Sequence, residues 1–330
     1  MTQTQPTMHD VAAKAGVSQM TVSRVMRGTG YISDRVRAKV MTAAAEIGYV
    51  HNRLAGGIAT YDNPLVAVVV PTLGNRVFTE VLEGISAALD GQGIRPVFGV
   101  SDYDPENEAR VVLDLLSWRP RGLILSGLEH SDALRQLVAK TGVRSVEVMD
   151  TDGDPIQTCV GFSQARAGHD MARHLLDKGY RRIAYIASQN SQDLRAAKRL
   201  HAFAETVTQA GAQIIAQRIA AEGSSMALGR RLTAEVMASD APQAIYYSND
   251  DLAAGGLMHC LANGLRVPQD VALAGFNGLS FLQALPQQIT TTLSPRRQIG
   301  ETAAQLLLSA EPAPDTHVDL GTQLVRGETT

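Results

Sequence analysis

From residue 65 onward, short apolar runs alternate with segments long enough to form helices. The first run, LVAVVV at 65–70, ends at Pro71 and is continuously apolar, as expected for a parallel strand covered on both faces. Repeated strand–helix units predict doubly wound lobes whose ligand sites lie at the carboxyl ends of the strands. The predicted strands are 65–70, 97–100, 122–125, 145–148, 183–187, 244–247 and 271–275.

The first 49 residues lack this alternation and instead predict three short helices. Thr7 and Asp10 have the spacing of a capping box, and Ser18 is the expected cap of a second helix. A third helix is predicted after Ser33, ending at Gly48. The expected fold class is therefore a small all-α helix-turn-helix head plus an α/β core of two doubly wound parallel-sheet lobes, since 330 residues exceed a single core.

Charge is divided unequally along the chain. Residues 1–60 carry seven Lys and Arg against three acidic residues, which is +4, and because the whole chain carries −3 the remainder carries −7. A basic head on an acidic body is typical of a phosphate-binding module joined to a domain that does not contact DNA. Chance asymmetry in a short window is the alternative, and charge alone does not exclude it.

Sequence patterns that would support an enzyme or a metal site are missing. There is no Gly-rich phosphate loop, GxSxG elbow or HExxH, and His169 and His174 are spaced for different helix faces. Cys159 and Cys260 have no metal-ligand spacing and are expected to be free buried thiols. We expect no catalytic residues, metal or cofactor. With no signal-peptide pattern and no apolar run of about 18 residues, a cytoplasmic protein without membrane contact is expected.

Several runs of sequence resemble one family of regulators. The run DVAAKAGVSQMTVSRVMRG at 10–28 resembles the DNA-binding head of the LacI/GalR family, and GYVHNRLAGGIAT at 48–60 resembles its third-helix end and hinge. The runs that resemble its core are SNDDLAAGGL at 248–257, GLRVPQDVALAGFNG at 264–278 and ITTTLSP at 289–295. The resemblance implies lobes of periplasmic-binding-protein type, with the chain crossing between them near residues 162, 292 and 321.

The resemblance also implies domain boundaries. A helix-turn-helix DNA-binding domain is expected at 1–49, a hinge helix or linker at 50–63, and an effector-binding and dimerisation core at 64–330. Lobe 1 is expected at about 64–161 and 293–320, and lobe 2 at about 162–292 and 321–330. The runs that look like repressors of gluconate use are PTLGNRVFTEVLEGI at 71–85, LLSWRPRGLILS at 115–126, VEVMDTDGDPIQTCVGF at 146–162 and GFNG at 275–278.

The second helix of the head is the implied recognition helix. By resemblance Gln19, Met20 and Arg24 occupy base-reading positions, where Arg24 can bond a guanine, Gln19 an adenine and Met20 a thymine methyl. The alternatives are that Met20 is a core residue and Arg24 a solvated charge. The implied phosphate contacts are Ser18, Thr21 and Ser23.

The hinge completes the implied DNA site with Asn52, Arg53 and Ile58. In the family this segment becomes helical only on operator DNA, and Ile58 matches the apolar side chain that enters a central minor-groove step. Gly56 and Gly57 stand where better helix formers are usual, each costing about 1 kcal/mol relative to Ala. We therefore expect a hinge helix that depends strongly on DNA, in a homodimer bound to a palindromic operator of roughly 14–20 base pairs.

The implied effector site lies between the lobes, where sugars are bound by planar polar groups. Its matching positions are Asn75, Arg76, Phe78, Ser126, Asp150, Arg199, Asn249 and Asn277. Asn277 replaces the acid of the common family pattern, so that with Arg199 and Arg76 the site favours a carboxylate. Three alternatives to effector binding stay open. Arg76 is a solvated loop charge, Asp150 caps its neighbouring loop, or Asn277 only makes a turn.

The predicted function is a sequence-specific transcriptional repressor whose operator affinity is controlled by a sugar acid such as gluconate or a ketogluconate, regulating sugar-acid catabolism. A neutral-sugar effector and a ligand required for DNA binding stay open as alternatives. A solute-binding protein without DNA function is the alternative from another class. It would need an export signal where this chain has its basic head.

Overall fold

The computed structural model of the chain describes residues 6–47, 49, 63–188, 194–310 and 316–330. Its contacts divide the chain into two units, Met1–Asn63 and Pro64–Thr330. The predicted hinge residues Asn52, Arg53 and Ile58, with Gly56 and Gly57, lie outside the described residues, and their roles stay predictions.

The smaller unit contains three helices, as predicted: α1 (Met8–Ala15), α2 (Gln19–Arg27) and α3 (Asp34–Glu46). The capping box is present, because the Thr7 side chain accepts from the Asp10 amide while the Asp10 carboxylate accepts from the Thr7 amide. Ser18 caps α2 by accepting from the amide of Thr21. The buried residues that join the helices include Val11, Ala15, Val22, Val25 and Val40.

Lobe 1 of the larger unit is built on a six-stranded sheet in which every pair of neighbours is parallel. Its strands are β1 (Leu65–Val70), β2 (Arg95–Val100), β3 (Gly122–Ser126), β4 (Ser145–Val148), β5 (Thr158–Gly161) and β11 (His317–Asp319), in the order β11-β5-β4-β3-β1-β2. The helices of this lobe are α4 (Arg76–Leu89), α5 (Pro105–Leu116), α6 (Asp132–Thr141) and α11 (Arg296–Leu308).

Lobe 2 repeats this arrangement with a second six-stranded sheet, in which only β12 is antiparallel to its neighbour. Its strands are β6 (Arg182–Ser188), β7 (Gln213–Ala220), β8 (Ala244–Tyr247), β9 (Ala272–Asn277), β10 (Thr290–Leu293) and β12 (Gln323–Val325), in the order β12-β10-β9-β8-β6-β7. The helices of this lobe are α7 (Gln164–Asp177), α8 (Leu194–Gln209), α9 (Met226–Ser239) and α10 (Asp250–Ala262).

The chain passes from the first sheet to the second between β5 and β6, returns between β10 and β11, and crosses again before β12. The predicted fold class is confirmed, and all seven predicted strands occur. The pattern missed five strands, β5, β7, β10, β11 and β12. Of these, β7 is a partly exposed edge strand, and the others have three or four residues. None of the described helices combines the length and the apolar character needed to cross a membrane.

Glycines let α7 and α8 approach closely. A Cβ atom built on Gly168 of α7 would lie 2.1 Å from the backbone oxygen of Arg199 on α8. A similar contact joins the helices of lobe 1, where a Cβ atom on Gly300 of α11 would lie 2.1 Å from the oxygen of Val81 on α4. Because no side chain fits at Gly168, this residue helps to fix the position of Arg199 against the sheet of lobe 2.

Candidate ligand cleft and nucleic-acid interface

A cavity of about 660 Å³ lies between the two lobes, at the carboxyl ends of β1, β6, β8 and β9. This volume and this position are typical of small-molecule sites in doubly wound proteins. The charged side chains that line it, among the described residues, are Arg76, Arg195, Arg199 and Asp251. Three cationic groups against one carboxylate favour an anionic ligand.

Arg199, on α8, is the most firmly held of these cations and is only 6% exposed. Its Nη1 donates to Oε1 of Gln164, its Nη2 donates to the backbone oxygen of Ser248 at 3.1 Å, and its Cζ lies 3.6 Å from the ring centroid of Phe276. Its buried Nε has no hydrogen-bond partner in the described parts of the chain. The buried hydroxyl of Tyr246 also has no hydrogen-bond partner among the described residues. Burial raises the pKa of this hydroxyl, and the positive charge of Arg199 opposes that rise.

An apolar surface accompanies Arg199. Phe78, Phe162 and Phe276 line the cavity, and the rings of Phe162 and Phe276 are 6.1 Å apart. Such surfaces pack against the C–H faces of a sugar while polar groups bind its hydroxyls.

Asn249 follows β8 and caps α10. Its Oδ1 accepts from the amide of Leu252 at 3.1 Å and from the hydroxyl of Ser224 at 2.8 Å. Since the oxygen is already bonded, the amide nitrogen is the group that Asn249 can offer to a ligand in the cavity it lines.

Asn75, Arg76 and Phe78 enter the cavity from lobe 1 at the start of α4. Oδ1 of Asn75 caps this helix by accepting from the amide of Val77 at 3.0 Å. The guanidinium of Arg76 faces lobe 2, with its Cζ 5.4 Å from the ring centroid of Phe281. Arg76 is therefore a lining residue of the cleft as well as an exposed one, and it has an aromatic neighbour on the other lobe.

Asn277 is the last residue of β9 and lines the cavity. The residue is 7% exposed. Its φ of 113° lies in a region that residues other than glycine rarely adopt, and its backbone oxygen accepts from Nη1 of Arg296. Strained backbone of this kind is concentrated at ligand sites. The residue makes the turn at the end of the strand and also faces the cleft.

Ser126 and Asp150 do not line this cavity. Oγ of Ser126 accepts from Nη1 of Arg195 at 2.9 Å, beside a smaller cavity of about 70 Å³. Asp150 is fully buried, accepts from Nζ of Lys198 at 2.6 Å and caps its own loop by accepting from the amide of Asp152 at 3.0 Å. Burial raises the pKa of Asp150, and the bond from Lys198 opposes that rise. Both residues thus connect lobe 1 to α8 of lobe 2.

The polar lining residues that the sequence reasoning missed include Gln164, Arg195, Ser224 and Asp251. Arg195 could have been found, because it stands four residues before Arg199 and so shares its helix face. Gln164 follows β5, a strand that the pattern did not predict.

The predicted recognition helix, α2, presents the predicted base-reading residues on its surface. Met20 is 65% exposed and Gln19 and Arg24 are exposed, whereas Val22 and Val25 are buried. The alternative that Met20 is a core residue is therefore wrong. The hydroxyls of Ser18 and Thr21 form a hydrogen bond with an oxygen–oxygen distance of 2.9 Å. Thr21 and Ser23 are half-buried.

Comparison with protein families gives a match in each unit. Residues 7–52 match the family model described as bacterial regulatory proteins, lacI family, and residues 172–330 match the model described as periplasmic binding protein-like domain. A relative from Pseudomonas aeruginosa, HTH-type transcriptional regulator GntR, is 37% identical over 336 residues, which cover 99% of this chain and 96% of the relative.

Solved structures are similar over the same length. The crystal structure of a LacI-family transcriptional regulator from Silicibacter pomeroyi is 42% identical, with a TM-score of 0.92 over 98% of this chain and 99% of that one. The lac repressor dimer bound to operator and the anti-inducer ONPF is 27% identical, with a TM-score of 0.82 over 99% of each chain.

Proposed function

The chain belongs to the LacI family of DNA-binding transcriptional regulators, and we propose that it is a cytoplasmic, homodimeric repressor whose operator affinity is controlled by a sugar acid. Membership in this family confirms the resemblance that was stated above for residues 10–28 and for the runs of the core. The relatives are transcriptional regulators, and we propose no enzymatic activity, no metal and no cofactor for this chain. The proposed target is sugar-acid catabolism, in keeping with the relative named GntR.

The observation that carries the sugar-acid proposal is the charge of the cleft. Arg76, Arg195 and Arg199 line it with Asp251 as the sole carboxylate among the described lining residues. Asn277 adds an amide at the position where the common family pattern has an acid. A guanidinium binds a carboxylate with forked, charge-assisted hydrogen bonds, and Arg199 is a buried guanidinium that lines the cavity.

In this proposal each implied site residue except Ser126 and Asp150 keeps its predicted role. Gln19, Met20 and Arg24 read bases, and Ser18, Thr21 and Ser23 contact phosphates. Asn52, Arg53 and Ile58 of the hinge complete the contact with a palindromic operator, as two copies of the head require. Asn75, Arg76, Phe78, Arg199, Asn249 and Asn277 bind the effector, while Ser126 and Asp150 hold the lobes around it. The proposed domain boundaries are the ones given above as expectations.

Calorimetric titration of the purified protein tests the effector class. Gluconate or 2-ketogluconate should bind and glucose should not, and Arg199→Ala should abolish binding while the exposed Arg231→Ala on α9 leaves it unchanged. Thermal unfolding of both variants checks that they are folded. Binding of glucose with failure of both acids would contradict the sugar-acid proposal and favour the neutral-sugar alternative.

A gel-shift assay on the protein's own promoter then gives the sign of regulation. If the acid that binds releases the DNA, the protein is an inducible repressor. If the acid is required for the shift, the ligand is a corepressor. Failure to shift the promoter under either condition would contradict the proposed operator.

A further inference from the structure

The geometry points to Asp251 and Arg76 as a specificity pair, which accepts the neutral hydroxyl end of a sugar monoacid and excludes a second anionic group. The inference rests on the proposed function, because it assumes that the carboxylate end of the effector is bound by Arg199. It assigns Asp251, which the resemblance does not assign, as an effector-binding residue.

Asp251 is a half-buried carboxylate that faces the cleft. It lies in the first turn of α10, lines the cavity, and accepts no hydrogen bond with its side chain within the described parts of the chain. This differs from its neighbour Asp250, whose two carboxylate oxygens accept from Thr291 and from the amide of Leu279. The acceptor atoms of Asp251 are therefore free for ligand hydroxyls, which carboxylates bind with charge-assisted hydrogen bonds.

Arg76 balances the charge of Asp251 from the opposite lobe. Burial raises the pKa of Asp251, and the positive charge of Arg76 opposes that rise. Neither Arg195 nor Arg199 makes an ion pair with Asp251, since Arg195 donates to Ser126 and Arg199 to Gln164 and Ser248. The cleft thus contains two opposite charges on its facing lobes, Arg76 and Asp251, and a separate buried cation, Arg199.

A neutral pair and an unbalanced cation select different ends of a ligand. The unbalanced Arg199 suits a carboxylate, whereas a site with one cation and one anion suits hydroxyl groups, which both donate and accept. A second anion placed beside Asp251 would leave two carboxylates facing the single cation Arg76 in a partly desolvated site, which is unfavourable. The preferred effector is therefore an aldonate, with one carboxylate and a hydroxymethyl terminus, rather than an aldarate.

Gluconate and glucarate test this, because they differ only in whether C6 is a hydroxymethyl group or a carboxylate. Titration calorimetry on the full-length chain should show that the wild type prefers gluconate by at least about tenfold. Asp251→Asn should weaken gluconate binding and raise the glucarate-to-gluconate affinity ratio by about tenfold, the effect of one charge-assisted contact. Arg76→Gln should lower the affinity for both acids, and for glucarate more strongly.

The double variant and a matched control complete the test. Asp251→Asn combined with Arg76→Gln restores neutrality and should restore the preference for gluconate. Glu235→Gln removes an exposed carboxylate of the same lobe, ion-paired with Arg231 on α9, and should leave the ratio unchanged. Because Arg76 is exposed, its variant reports on the pair even if Asp251→Asn does not fold.

Two results separate failure of this inference from failure of the proposed function. If the wild type binds gluconate but Asp251→Asn and Arg76→Gln leave the ratio unchanged, or Glu235→Gln changes it equally, the specificity pair is wrong and the sugar-acid proposal stands. If the wild type binds neither acid, the proposed effector class is wrong and the specificity pair with it.

Discussion

Arg199 rests on the ring of Phe276, with the guanidinium Cζ 3.6 Å from the ring centroid. The ring belongs to β9 and the arginine to α8, so the contact joins two elements that meet only in the folded lobe. Together with the bonds from Arg199 to Gln164 and Ser248, it orients a buried cation before any ligand arrives. A side chain that is already held in place loses little conformational entropy when a ligand binds.

Phe276→Leu should weaken binding of the sugar acid by about tenfold, because it keeps an apolar wall but removes a partly desolvated cation–π contact. Calorimetric titration measures the change. Phe98→Leu is the control, since Phe98 is 42% exposed on β2. Equal affinities for the Phe276→Leu variant and the wild type would mean that the stacking does not contribute to binding.

Gly168→Ala should both destabilise the protein and weaken effector binding. The added Cβ would lie 2.1 Å from the backbone oxygen of Arg199, so α8 must shift, at a cost of about 1–3 kcal/mol in the free energy of unfolding. Gly327→Ala is the control, because its Cβ would meet a similar clash, 2.2 Å from the backbone oxygen of Gln288, and neither residue lines the cavity. Urea unfolding should show a loss of stability for both variants, and titration a loss of affinity for Gly168→Ala alone. A loss of affinity in both would refute the positional role.

Stability should fall as pH rises from about 4 to about 7, in part because of Asp250. Burial raises the pKa of this carboxyl from 3.8 to about 7 in the folded protein. Below about pH 4 the carboxyl is protonated in both the folded and the unfolded state, so it does not lower the free energy of unfolding. Between the two pKa values only the unfolded chain ionises, so each step upward favours unfolding, and above about pH 7 the loss is complete.

Urea unfolding of the wild type and Asp250→Asn at pH 4.5 and 7.5 measures this contribution. The variant should lose less stability between these pH values than the wild type does. Asp132→Asn, which removes an exposed carboxylate from α6, is the control. An identical pH dependence in Asp250→Asn and the wild type would mean that Asp250 does not titrate in this window.

Arg24→Ala should weaken operator binding by about 1–3 kcal/mol and relax the choice of base at one position of each half-site, because a bidentate base contact is lost. Arg35→Ala removes the same charge from the exposed surface of α3 and should change affinity evenly across operator variants. Fluorescence anisotropy with the operator and single-base variants compares the two. The base-reading role is refuted if Arg24→Ala loses affinity equally for every sequence.

The sequence by itself determined the elements whose signals are local. The capping box of Thr7 and Asp10 and the apolar run at 65–70 each depend on residues within one turn or one strand, and both occur in the structure. For Met20 the sequence left a core position open, and the structure decided for the exposed side of α2, opposite the buried Val22 and Val25.

Only the tertiary structure decided which side chains meet. Asp251 and Arg76 come from different lobes, and Asp150 does not line the cleft but forms an ion pair with Lys198 of α8 across the lobe boundary. The strand β10, with the sequence TTTL, has too weak a pattern to be predicted and forms because β9 and β12 supply its hydrogen bonds. Such contacts depend on the three crossings of the chain between sheets, which bring together residues far apart in sequence, and local periodicity carries no information about that pairing.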